Sequence, residues 1–150
     1  MADLRPADDN SIPADERLYI RVYPAKDSVV WLEGGGHRLN SGSLRGRNKD
    51  EPMSVDLGSL CTPEQTRDRG THGNFHVAVL IAGEVRLLRF RIVRDPIADP
   101  PIPNPAHALI LGSRNTGEDL EGALTIGEYG KLARIARIVI FAAPQIDPNS

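Results

Sequence analysis

The sequence holds a single cysteine, Cys61, in 150 residues. One thiol closes no internal disulfide, and small secreted domains commonly depend on such bridges, so a reducing cytoplasm is the expected compartment. Aromatic residues are scarce, at 5% (one Trp, three Tyr, three Phe), and the formal net charge is -2. Few rings are present to stack bases, and no surplus of cations is present to meet a phosphate backbone, which disfavours dedicated nucleic-acid binding. No apolar run approaches the roughly 18 residues of a membrane span. The acidic start, MADLRPADDNSIPADE, lacks the apolar stretch of a signal peptide. No segment recurs at a fixed period, so a repeat architecture is not expected.

What is present fits a globular chain. Hydrophobic residues make up 40% and charged residues 25%, and the length suits one domain. Fourteen glycines and twelve prolines point to long turns and short elements. Composition and periodicity divide the chain into a polar tail over 1–16, one domain over 17–142 and a second tail over 143–150.

Arg17–Tyr23 alternates cleanly. Leu18, Ile20 and Val22 share one strand face; Arg17, Tyr19, Arg21 and Tyr23 share the other. Short strands are expected at Ser28–Leu32 and Met53–Leu57, with a long Gly-rich loop over 33–52 between them. Thr62-Pro63-Glu64-Gln65 has the form of a helix start, with Thr as N-cap and Pro at the first helical position. Phe75–Ile81 and Val85–Val93 read as a hairpin turning at Ala82-Gly83-Glu84. Asp95–Pro105 carries five prolines and reads as an extended connector. Ala106–Leu111 is apolar on both faces, as in a central strand. Glu128–Phe141 carries a helical stripe, although its β-branched end, Ile138–Phe141, also fits a strand. The expected class is α+β: a mostly antiparallel or mixed sheet of four to six strands, one short helix and a C-terminal helix.

Few residues suggest chemistry. His72 and His76 are four apart, but in extended chain they lie about 13 Å from each other, too far to share an ion, so no metal site is expected. No Walker lysine–hydroxyl pair, no GxGxxG turn and no G-x-S-x-G elbow occurs, and no cofactor is implied. The face bearing Tyr19, Arg21 and Tyr23 is a candidate ligand wall, because Arg pairs with phosphate or carboxylate and stacks on rings. Arg45 and Arg47, in the Gly/Ser-rich loop, are further candidate anion ligands. His107 and Asp56 are the candidates for proton transfer. Each has a structural alternative: Arg21 salt-bridged beneath a loop or helix, His107 bonded to a carbonyl, Asp56 holding a turn.

At RLYIRVYP, RLNSGSLRGRNKDEPMSVDL and RDPIADPPIPNPAHALILG the chain resembles a group of small bacterial proteins of unassigned function. They share an Arg-bearing first strand, an "SVD" strand and a late "NPAHA-x-I-x-G" segment; the resemblance spans roughly residues 17–112 and implies one domain type. A second likeness is to ADP-ribosyltransferase and RES-type NAD-consuming domains, which would give Arg21, Ser54 and His107 site roles. The late strand here has no glutamate, and the RES-type glycine–aromatic signatures are absent. The expected role is a protein-interaction or accessory module of a multi-protein system. The alternative is a small enzyme or binding protein for a nucleotide-like or phosphorylated ligand.

Overall fold

Leu18, Ile20 and Val22 are buried together on one side of their strand, as their alternation requires. In the computed structural model the chain is described over residues 8–25, 27–40, 42–45, 51–70, 74–99, 103–115 and 121–143. Along the described residues the order is β1 (Arg17–Val22), β2 (Val29–Trp31), β3 (His37–Leu39), β4 (Met53–Leu57), α1 (Pro63–Asp68), β5 (His76–Ile81), α2 (Ala82–Leu87), β6 (Arg91–Arg94), β7 (His107–Leu111), β8 (Arg114–Asn115), β9 (Glu121–Ala123), α3 (Ile126–Ile135) and β10 (Arg137–Ile140). Six strands form one sheet in the order β10-β5-β1-β4-β7-β6, and each neighbouring pair is antiparallel. β2 pairs with β3, and β8 with β9, as separate two-stranded ribbons. The class is α+β, as the pattern of elements predicts.

The sheet has two unequal faces. The first carries Leu18, Val22, Met53, Leu57, Leu80 and Ile110, and packs on Tyr129, Leu132 and Ala133 of α3. The second carries a smaller cluster of Tyr19, Val77 and Ala106 with Cys61, and α1 contacts β1, β5 and β10 on that side. Both α1 and α3 begin with a reciprocal cap. Thr62 accepts from the backbone of Gln65 while the Gln65 side chain accepts from the Thr62 N–H; Thr125 and Glu128 do the same for α3. Each such cap is worth about 1 kcal/mol.

Three expectations are corrected. The hairpin over 75–93 does not form. Ala82–Leu87 coils into α2, with Ala82 and Val85 buried at helical spacing, and Arg89 takes a positive φ of 73° before β6. β5 and β6 therefore part company: β5 pairs with β1 and β10, and β6 pairs with β7 on the far side of the sheet. The run Ala-Gly-Glu-Val-Arg-Leu holds good helix formers, and its apolar spacing fits either period. Second, the helix expected over Glu128–Phe141 stops at Ile135, and the β-branched remainder becomes β10 beside β5. Third, the segment before residue 17 is not a tail throughout. Ile12 is 1% exposed inside the main core. The Asp9 N–H donates to the Ile92 carbonyl at 2.8 Å, and the Ile92 N–H donates to Asp8 Oδ1 at 2.8 Å, so residues 8–12 run along the outer side of β6. Arg86 pairs with Asp8 at 3.0 Å and Arg94 with Asp9 at 3.5 Å. Residues 1–7 and 144–150 lie outside the described residues.

The opposite outer strand is treated differently. The Ile138 N–H donates to Nε2 of His37 at 3.2 Å, which brings the β2–β3 ribbon against β10. Its first strand, β2, falls in the short strand expected at Ser28–Leu32, while β3 lies within the segment expected to be a loop; residue 41 and residues 46–50 of that segment are not described. Of the proline-rich connector, residues 95–99 and 103–105 are described; Ile97 and Asn104 exchange backbone hydrogen bonds of 2.9 and 2.7 Å, which fixes Asn104 beside the sheet.

Candidate functional site

Register brings three of the sequence-derived candidates into one row. Tyr19 of β1 faces Asp56 of β4, and Asp56 faces His107 of β7. Directly opposed residues share a face, and Arg21, two positions from Tyr19, points to that face too. Tyr19, Arg21, Asp56 and His107 thus lie on the α1 side of the sheet.

Their chemistry is inward-looking. Asp56 is 4% exposed. Its Oδ2 accepts from Thr66 Oγ1 at 2.7 Å and from Arg69 Nη1 at 3.0 Å, and its Oδ1 accepts from Asn104 Nδ2 at 2.8 Å. A carboxylate has about four acceptor sites, so three donors nearly saturate it. Arg21 donates from Nη1 to the Thr66 carbonyl at 2.9 Å, near the end of α1. Burial lowers the pKa of its guanidinium, the Asp56 carboxylate opposes that shift, and the neighbouring Arg69 adds to it. His107 turns away from Asp56: its Nδ1 lies 2.9 Å from the Asp95 carbonyl and 3.1 Å from Asp95 Oδ2. No hydrogen bond joins His107 to Asp56 among the described residues. The group ties α1, the sheet and Asn104 to one buried carboxylate.

The remaining candidates are spread out. Tyr23 sits past the end of β1, exposed, with its ring edge-on to Phe75 at 6.4 Å. Arg45 acts electrostatically on Tyr129 of α3, whose phenol pKa is raised chiefly by burial and pulled back by Arg45 and Arg114. Arg45 is therefore across the sheet from Arg21, and the two do not form one anion site. Arg47 lies outside the described residues, as does His72.

Two features that the sequence reading did not assemble are more open. The first is a groove of about 590 Å³ on the same sheet face as Tyr19, beside rather than over Asp56. Its floor comes from three adjacent strands: Arg17 and Tyr19 of β1, Val79 and Ile81 of β5, and Arg137 and Val139 of β10. Pro63 of α1, Glu84 of α2, and Arg134 and Ile135 of α3 form the walls. The signal for one side of it was present in the alternation Arg17-Tyr19-Arg21. The other side needed the strand order, which places β10 next to β5.

The second is an aromatic cluster at the β10 edge. Trp31, 67% exposed, stacks on Phe141 with centroids 5.5 Å apart and planes at 21°. His37 lies edge-on to both rings, at 5.7 and 5.4 Å, and His76 lies edge-on to Phe141 at 6.0 Å. The two histidines also brace the backbone, because His37 Nε2 accepts from Ile138 N–H and His76 Nδ1 accepts from Ala142 N–H at 2.8 Å. Burial lowers the His76 pKa. Exposed Leu32 and Val139 flank the cluster in sequence.

Comparison with family models, with curated proteins and with solved structures found no match. Among the described residues, no helix is long and apolar enough to cross a membrane, and no three His, Cys, Asp or Glu side chains are placed to share a metal ion.

Proposed function

We propose that this domain is a non-catalytic accessory module of a multi-protein system in a bacterial cytoplasm, and that it engages a protein partner through the Trp31–Phe141 face. The observation that carries this reading is the exposure of the chain's one tryptophan, stacked on an exposed phenylalanine at the edge of the sheet. Exposed Trp and Phe are costly to leave in water and are the side chains that most often anchor protein interfaces. The ring cluster is also pre-organised, since the backbone bonds to His37 and His76 hold its base, and a rigid anchor loses less entropy on docking.

The enzymatic alternative has less behind it. Both Asp56 oxygens are engaged by protein donors, and His107 is held by Asp95 rather than by Asp56. A pair used for proton transfer needs a route to substrate.

Affinity capture with the full chain tests the proposal. A partner retained by the wild-type protein, lost with Trp31→Ala and retained with Leu87→Ala, an exposed leucine on α2, is the expected result. Binding should also shift the fluorescence of Trp31 to the blue as the ring leaves water. Identical sets of proteins on the wild-type and Trp31→Ala chains would refute the proposal.

A further inference from the structure

The groove over β10, β5 and β1 has a charge pattern that the packing of the fold does not use. Three arginines line it: Arg17, Arg134 and Arg137. Arg17 and Arg134 make no ion pair or side-chain hydrogen bond among the described residues, and Arg137 donates only to the neighbouring Ala136 carbonyl at 3.3 Å. Glu84 is the one acidic side chain in the lining, and it too has no partner among the described residues. Three like charges around one concavity repel one another, and the groove concentrates their field. Arg69, Arg86 and Arg94, by contrast, each meet an aspartate.

The floor supplies a second, independent indication. Val79, Ile81 and Val139 make it apolar. Tyr19 is 5% exposed, yet its hydroxyl makes no hydrogen bond within the described residues and is not a buried unsatisfied atom. The ring is therefore packed while its oxygen keeps some solvent contact, and the residue lines the groove, where a hydroxyl can donate or accept. A volume of about 590 Å³ lies within the usual range for small-molecule sites, which are mostly apolar with a few polar groups that set orientation.

We infer that this groove binds a phosphate monoester carrying an apolar or aromatic body. The dianionic head sits among Arg17, Arg134 and Arg137, whose planar forks match phosphate oxygens in pairs. The body lies over Val79, Ile81 and Val139. Glu84 accepts from a hydroxyl or amino group on that body and discourages purely anionic ligands. The site adjoins the Asp56 row through Tyr19 and the aromatic face through Val139, but its three arginines belong to neither, and the inference does not depend on the partner-binding proposal.

Isothermal titration of the full chain with inorganic phosphate, phenyl phosphate, octyl phosphate and adenosine monophosphate tests it. The three esters distinguish an aryl, an alkyl and a nucleoside body. At least one ester is expected to bind, about tenfold or more tighter than inorganic phosphate, since a buried ring or chain adds well over 1 kcal/mol. Arg17→Ala and Arg134→Ala are each expected to weaken that ester roughly tenfold. Both arginines are exposed and have no side-chain partner among the described residues, so the variants should keep the wild-type circular dichroism spectrum. Arg17→Lys should recover part of the loss, and Trp31→Ala should leave it unaffected. Absence of binding by every ester, inorganic phosphate binding as tightly as the esters, or affinities unchanged in both alanine variants would each overturn the inference.

Discussion

The Thr66 hydroxyl donates to Asp56 Oδ2 at 2.7 Å, and this contact joins helix to sheet at a point where neither side chain reaches solvent. Arg69 and Asn104 complete the same carboxylate. Removing Asp56 therefore strands donors from three parts of the fold at once. Asp56→Ala is expected to cost about 2–4 kcal/mol, and Asp56→Asn less, because an amide still accepts through one atom. Urea denaturation followed by circular dichroism measures both. A cost under about 1 kcal/mol for Asp56→Ala would contradict the hub assignment.

Stability should depend on His76. Burial holds its pKa below 6.5, the value of a free imidazole, and its Nδ1 must stay unprotonated to accept the Ala142 N–H. In the unfolded chain the ring takes up a proton as the pH falls past 6.5, while the folded ring resists. The contribution is complete above pH 6.5 and is lost as the pH falls through the lowered folded value. The urea midpoint of the wild-type protein should drop over that interval more than the midpoint of His76→Phe does.

Ile12→Ala tests whether residues before 17 belong to the domain. The side chain is buried in the main core, so the change leaves a cavity and should cost about 2–4 kcal/mol. Hydrogen exchange should at the same time quicken at the Ile92 amide, whose acceptor is Asp8.

Gly112→Ala is expected to destabilise by about 2 kcal/mol or more. A Cβ at that position would fall 2.7 Å from the Ala123 carbonyl oxygen and 2.8 Å from the Leu124 Cα, and backbone atoms do not move aside as a side-chain tip can. A thermal melt beside that of Gly127→Ala, whose Cβ would meet nothing closer than 3.8 Å, gives the comparison.

The elements whose signal is local were legible before the structure. The alternation of Arg17–Tyr23 and the Thr62-Pro63 helix start both appear as expected. Thr125-Ile126-Gly127-Glu128 carried an equally plain start signal for α3, the threonine and glutamate of a reciprocal cap, which would have set that helix two residues earlier. Ala82–Leu87 was not decidable, because its apolar spacing satisfies both a strand and a helix; the choice is made by Ala82 and Val85 packing into the core. The site was legible only in part. Register between Tyr19, Asp56 and His107 could not be read from three segments far apart in sequence, although the face of each follows from alternation. The groove arginines come from β1, α3 and β10, and only strand order makes them neighbours.

Both outer strands of the large sheet are occupied from the side: β6 by residues 8–12, and β10 at Ile138 by His37. Left bare, a strand edge offers a row of backbone donors and acceptors to any other extended chain. The acidic segment along β6 therefore protects the sheet against self-association, with Arg86 and Arg94 as its clasps. A chain shortened to begin at residue 17 should fold poorly for lack of Ile12, and what folds should stack edge to edge into aggregates. The stretch whose composition looks most dispensable is what limits sheet growth at β6.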